Sequence, residues 1–142
     1  MVEHKFRLFS FNVSSAFLQS WTFEEILQRN QASTPVGGGD SKRIVHLSLP
    51  KDSEVLVKQL PGLEGYDSSL HVLKLLKGGF GLKDAPRLWR ERLDHLLIEI
   101  GLKALQADGS IYCKWSGGSS PRLVLIVSTH VDDLKGGGEP EE

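Results

Sequence analysis

Two carboxylates stand side by side at Asp132-Asp133, directly after the run Leu123-Val124-Leu125-Ile126-Val127-Ser128-Thr129-His130-Val131. Such a run, rich in β-branched and aliphatic residues, reads as a buried strand, and the turn-like Lys135-Gly136-Gly137-Gly138 follows the acids. The pair is therefore expected at a strand end. Adjacent carboxylates repel when both are ionised, which raises the pKa of one or both unless a donor or a cation compensates. A bound divalent cation is one natural compensator; a solvated acidic turn is the plainer reading of the same residues. Asn12 closes another short hydrophobic run, and its amide offers a further oxygen donor. In an antiparallel sheet the first and last strands can be neighbours, which brings Asn12 to the two acids. Oxygen ligands of this kind suit magnesium, which keeps several waters and often takes substrate phosphates as its remaining ligands. Two such ions, about 3.5–4 Å apart, stabilise the attacking and leaving oxygens of a phosphoryl displacement.

Other residues offer weaker chemistry. Gly78-Gly79-Phe80-Gly81 lacks the Lys-Ser or Lys-Thr pair of a phosphate loop and the spacing of a dinucleotide fingerprint, so it reads as a turn before a helix. Lys83, Arg87 and Arg90 put positive charge at the start of that helix, where the helix dipole also favours anions; a charged helix face is equally read as solvated. Alternation along a strand places His130 and Asp132 on one face, two ligands for a metal-dependent hydrolase. His4, His46, His71 and His95 are scattered and no motif joins them to that pair.

The elements that must position these groups follow from periodicity and punctuation. Phe6, Leu8, Phe9 and Phe11 alternate with or flank polar residues and predict a first strand ending at Asn12, and Val13 to Leu18 reads as a close-packed turn. Thr22-Phe23-Glu24-Glu25 is a capping-box pattern, opening a helix to about Asn30, and Gln31 to Asp40 reads as a glycine-rich loop. Ile44 to Leu49 predicts a strand with Val55-Leu56-Val57 as a candidate partner, and His71 to Leu76 another. The clearest helix starts with Asp84 and Pro86 and ends at Gly101. Its stripe is Trp89, Leu93, Leu96, Leu97 and Ile100, and Arg87, Arg90, Arg92, Asp94 and Glu99 fall on the opposite side. Ser110 to Trp115 and Arg122 to Val131 form a hairpin. The order is mixed, and the natural class is α+β with an antiparallel sheet.

The chain's 142 residues fit one domain with a real core. Hydrophobic residues at 39% and charged residues at 25% belong to a folded globular chain rather than a disordered one. With 17 basic against 18 acidic residues no global positive field recruits nucleic acid, so any such binding needs a local patch. Cys113 is alone, which excludes an internal disulfide and a cysteine-rich zinc site and points to a core residue of an intracellular protein. No apolar run approaches the roughly 20 residues of a membrane span, no signal-peptide pattern opens the chain, and the Asn12-Val13-Ser14 sequon is therefore without meaning. Residues 139–142 form an acidic tail.

Taken together the motifs resemble a known family. Phe80-Gly81-Leu82-Lys83-Asp84-Ala85-Pro86-Arg87-Leu88-Trp89 is similar to the Tyr-Gly-Leu-Lys-Gln-Ala-Pro-Arg-x-Trp signature of copia-type retrotransposon reverse transcriptases. Val13-Ser14-Ser15-Ala16-Phe17-Leu18 resembles the family's Asp-Val-x-x-Ala-Phe-Leu, Ala107 to Tyr112 its Ala-Asp-x-Ser-Leu-Tyr, and His130-Val131-Asp132-Asp133 its Tyr-Val-Asp-Asp. The resemblance spans about Phe6 to Lys135. It implies a polymerase palm core (about 6–18 and 71–135) with part of the fingers and a loop-rich insertion (about 19–43). The implied function is RNA-directed DNA polymerisation on a template-primer with deoxynucleoside triphosphates and two Mg2+ ions. By position, Asp132 and Asp133 are metal ligands, Phe17 lies against the sugar, and Gly81, Lys83 and Arg87 lie near template and incoming nucleotide.

The chain departs from the pattern at three points. Asn12 stands at the first catalytic aspartate, which predicts impaired metal binding and catalysis. His130 replaces a tyrosine that is not itself a ligand. The early fingers, the second strand of the aspartate hairpin, the thumb and a ribonuclease H region are expected beyond the two ends, which reads as a partial or decayed copy. A non-catalytic nucleic-acid-binding remnant and a His/Asp metal-dependent hydrolase are the competing readings.

Overall fold

A computed structural model of the chain describes residues 6–33 and 43–140. Its elements are β1 (Arg7–Asn12), α1 (Phe23–Ser33), β2 (Val45–Leu47), α2 (Glu54–Val57), β3 (Leu73–Leu75), α3 (Ala85–Glu99), β4 (Lys103–Ala104), β5 (Ile111–Trp115), β6 (Leu123–His130) and β7 (Asp133–Gly138), with 3-10 turns at Ala16–Gln19 and Lys51–Ser53. Helices mixed with antiparallel strands make this an α+β chain, the class expected. Residues up to Ser20 and from Phe80 onward form one compact unit, and Trp21–Gly79 form another.

The first unit is built on a five-stranded antiparallel sheet in the order β1-β7-β6-β5-β4. Its core is the i, i+4, i+8 row Trp89, Leu93 and Leu97 of α3, packed with Ala16, Leu102, Tyr112 and Val127; Phe9, Val13, Leu125 and Leu134 close around them. Full burial of such side chains stabilises the fold by roughly 1.5–3 kcal/mol each. Leu96 and Ile100 belong to the expected stripe by spacing, yet they stay 36% and 60% exposed. One i, i+4 ridge suffices to fill the groove that the sheet presents.

Gly101 ends α3 as the sequence predicts, and the mechanism is visible. With φ at 89°, it lets its own N–H reach the Ile98 carbonyl (2.9 Å) and the Leu102 N–H reach the Leu97 carbonyl (3.0 Å), the double bond of a Schellman motif. Leu102 is thereby turned into the core at 1% exposure.

Lys135 to Gly138 is not a turn but the body of β7, hydrogen-bonded to β1 on one side and β6 on the other. Glycine is a poor strand signal by propensity, and here close approach dictates it. A Cβ at Gly136 meets the Ile126 carbonyl oxygen at 2.3 Å and Phe9 Cζ at 2.5 Å. The second strand of the aspartate hairpin, expected beyond residue 142, is thus present in the chain.

In the second unit Thr22 and Glu25 form the expected capping box. The Glu25 N–H donates to Thr22 Oγ1 (3.1 Å), and the Thr22 N–H donates to Glu25 Oε2 (2.7 Å). The helix they open runs through residue 33, three positions beyond its expected end; the remainder of the predicted glycine-rich loop, 34–40, lies outside the described residues. β2 and β3 pair antiparallel with Val45 opposite Leu75. Val55-Leu56-Val57 is helical rather than a strand. Three apolar residues cannot declare a period, whereas the i, i+4 ion pair of Glu54 with Lys58 (2.6 Å) is a helical spacing. The Lys58 hydrogen bond holds the Glu54 carboxyl below its ordinary range.

Candidate functional site

The ladder decides which polar groups meet. β1 pairs with β7 so that Asn12 stands opposite Asp133, and β7 pairs with β6 so that Asp133 stands opposite His130. Directly opposed residues in an antiparallel pair share a face, so His130, Asp133 and Asn12 form one row across three strands. The Asn12 amide Nδ2 donates to Asp133 Oδ1 at 2.9 Å. Asp132 sits in the two-residue turn Val131-Asp132 that joins β6 to β7. The structure therefore brings Asn12, Asp132 and Asp133 together at one end of the sheet. Alternation does not carry His130 to Asp132, because β6 stops at His130 and Val131 turns left-handed. The residue across from His130 is Asp133.

Val131 has φ of 54°. A β-branched side chain in that region costs roughly 1–2 kcal/mol, and two hydrogen bonds hold the turn there. The Trp89 indole Nε1–H donates to the Val131 carbonyl at 2.7 Å, and the Val13 N–H donates to the Asp132 carbonyl at 2.8 Å. Both carbonyls of the aspartate turn are thus tied, one to α3 and one to the segment leaving β1.

That segment bends at Ser15, also left-handed at φ 52°, and enters the 3-10 turn that carries Phe17. The Phe17 ring meets Phe80 edge-on, with centroids 5.4 Å apart. Gly81 follows at φ 86°, a conformation that favours glycine. Lys83 is exposed at the start of α3, and Arg87 forms an exposed i, i+4 pair with Glu91. Such a pair contributes little to stability, so the guanidinium can exchange partners at small cost.

Arg90 and Asp94, assigned by charge to the solvent side, instead clamp α3 to the sheet. Arg90 Nε donates to Asp94 Oδ1 (2.7 Å), and its Nη groups donate to Tyr112 Oη (3.1 Å), Thr129 Oγ1 (3.5 Å) and the Gly109 carbonyl. The Tyr112 hydroxyl donates to the Asp94 carboxylate. Burial, then the Asp94 hydrogen bond and charge, push the Tyr112 phenol up to about 12, against the opposing pull of Arg90. The i, i+4 spacing of Arg90 and Asp94 was the available signal; the tyrosine that completes the clamp comes from 18 positions further on. Beside it, the Ser110 hydroxyl and N–H donate to Asp108 and hold its carboxyl below the usual range.

Among the described residues no three His, Cys, Asp or Glu side chains converge as a metal cluster. What is present is two carboxylates and an amide whose N–H side faces Asp133. That set fits a magnesium ion held by one or two carboxylates, with water and substrate phosphates as its other ligands. Among the described residues no helix is long and apolar enough to cross a membrane.

The family model for reverse transcriptase (RNA-dependent DNA polymerase) matches residues 40–139, which include Asp132 and Asp133 and begin after Asn12. A putative transposon Ty5-1 protein of Saccharomyces cerevisiae is 32% identical over 88 residues, 62% of this chain and 27% of that protein. The retrovirus-related Pol polyprotein from transposon RE1 of Arabidopsis thaliana is 33% identical over 81 residues, 57% of this chain and 5% of the polyprotein. Its RE2 counterpart is 32% identical over 81 residues. No solved structure matches.

Proposed function

The chain belongs to the reverse transcriptase (RNA-dependent DNA polymerase) family, of the copia retrotransposon type, and on that premise we propose that its five-stranded sheet is the palm core of a polymerase whose nucleotidyl transfer occurs at the end marked by Asn12, Asp132 and Asp133. The observation that carries this reading is the Asn12–Asp133 hydrogen bond in register. It joins the two motifs that family members use for metal binding, although more than a hundred residues separate them in the chain.

A bound divalent ion supplies Lewis-acid stabilisation of phosphoryl oxygens at such a site. The chain's own contribution is position and charge. Asp132 and Asp133 supply the anionic donors, on a turn fixed from both sides. Phe17, buttressed by Phe80, offers a ring against the nucleotide sugar. Gly81, Lys83 and Arg87 line the approach of the template and the nucleotide phosphates, where mobile cations are useful. Asn12 supplies a neutral amide in place of a third carboxylate, which lowers the site's affinity for cations and its rate. The chain spans 27% or less of the curated relatives it matches, so template, primer and nucleotide as partners are part of this proposal.

Extension of an oligo(dT) primer on poly(rA) with Mg2+ tests it. The unaltered chain is expected to extend weakly, Asn12→Asp at least tenfold faster, and Asn12→Asp/Asp133→Asn not at all. The neutral Asn12 also favours a second reading, a nucleic-acid-binding remnant without catalysis. Salt-dependent binding of the same duplex, unchanged by Asp132→Ala and with no extension by Asn12→Asp, establishes that reading instead.

A further inference from the structure

We propose that the chain pairs with a second copy of itself, joined edge to edge through β1 so that two five-stranded sheets become one continuous sheet about a two-fold axis. The inference needs no metal or nucleic acid at the sheet end and stands apart from the reading of that site.

β1 is an outer strand of its sheet and pairs with β7. The Val13 N–H reaches the Asp132 carbonyl, and bonded pairs alternate along an antiparallel ladder, so the peptide groups of Arg7, Phe9 and Phe11 turn to β7. Those of Leu8, Ser10 and Asn12 turn outward, where no strand among the described residues meets them. Edge strands are commonly protected by charged residues, proline, a bulge or a covering element. From Leu8 to Ser14 this edge carries neither a charge nor a proline, and its ladder with β7 runs without a register shift. Leu8 is 88% exposed and Phe11 60%.

The edge fits its own copy. Antiparallel pairing centred on Ser10 sets Ser10 opposite Ser10 of the second copy and Leu8 opposite Asn12 of the second copy. The three outward peptides then all find partners. In the same register Phe11 stands opposite Phe9 of the second copy, on the face where Phe9 and Phe11 of one chain lie 5.2 Å apart. Opposed aromatic pairs of this kind are favourable, and the two-fold gathers four rings over the exposed Phe11. Arg7, the charged residue of the strand, falls opposite Val13 of the second copy, so no like charges meet. A strand of six residues spans about 20 Å. The contact therefore belongs with small, exchanging interfaces below about 1,200 Å2 in total. Such an isologous contact closes at two copies.

Sedimentation equilibrium of the chain across micromolar concentrations tests the inference, with amide exchange followed over the same range. A monomer–dimer equilibrium is expected, in which exchange at Leu8, Ser10 and Asn12 slows as the dimer forms. Exchange at Phe9 and Phe11, already bonded to β7, should stay as it was. Ser10→Glu sets a carboxylate opposite Lys135 within one copy and opposite the same carboxylate of the second copy. It should keep the circular dichroism of the parent and weaken the dimer at least tenfold. Val55→Glu, at a 70% exposed position of the other unit, should leave the equilibrium unchanged. A monomer at every concentration overturns the inference and leaves the edge to a strand of some other chain. Association without slowing at Leu8 and Ser10, association indifferent to Ser10→Glu, or growth past two copies overturns it as well.

Discussion

The Trp89 indole N–H reaches the Val131 carbonyl across 42 residues of sequence at 2.7 Å, and the ring itself is 3% exposed. One side chain therefore serves two ends. Its apolar body belongs to the core row of α3, and its polar edge fixes the turn on which Asp132 sits. An aromatic with a single donor at its rim is suited to this double use.

Trp89→Phe separates the two. It keeps most of the buried ring and leaves the Val131 carbonyl without its indole donor, so chemical denaturation should show a loss of about 1–3 kcal/mol. Amide exchange at residues 131–133 should quicken more than exchange in β5. A uniform rise across the sheet instead assigns Trp89 to packing alone.

Val131→Gly should raise stability by about 1 kcal/mol, because glycine adopts a positive φ without the Cβ penalty, offset in part by its greater freedom when unfolded. The shift in denaturation midpoint measures this. An unchanged or lowered midpoint shows that the valine side chain, 44% exposed, packs usefully after all.

Asn12→Asp exchanges a donor for a carboxylate directly opposite Asp133. Like charges so placed are destabilising by roughly 0.2–1 kcal/mol. The variant should melt below the parent at neutral pH and low salt in the presence of a chelator, and regain the difference on addition of Mg2+. Recovery with NaCl of the same ionic strength marks screening rather than binding.

The Tyr112 phenol, raised to about 12 from an ordinary value of 10, keeps its proton in the folded chain after the unfolded chain has lost it. Its contribution is whole below pH 10 and declines as pH rises from 10 to 12. Absorbance at 295 nm in a Tyr66→Phe background should show the late titration. Tyr112→Phe should flatten this part of the stability profile.

Local patterns made part of this legible in advance. The Thr22-x-x-Glu25 cap, the Trp89-Leu93-Leu97 row, the stop at Gly101 and the hairpin of β5 and β6 all lie within a few residues of their causes. The sequence brings Asn12 near the two acids only by pairing the first strand with the strand that leads to them; β7 stands between those two strands and makes the contact instead. Three features stayed hidden for different reasons. The glycines of β7 carry no strand propensity and are required by neighbours distant in sequence. Arg90 and Asp94 look solvated until Tyr112 and Thr129 arrive from the sheet. The partner of His130 depends on where β6 stops, which a left-handed valine decides.

The glycine run of β7 also governs how the chain tolerates genetic drift. Three of the six residues of this strand are glycine, yet a methyl group at Gly136 collides with the Ile126 backbone, which cannot swing aside. Every amino-acid replacement of a glycine adds bulk. The segment next to the acids is therefore a point where random mutation removes the fold before it removes the charges, so any descendant that still folds retains the carboxylates' setting whether or not they work.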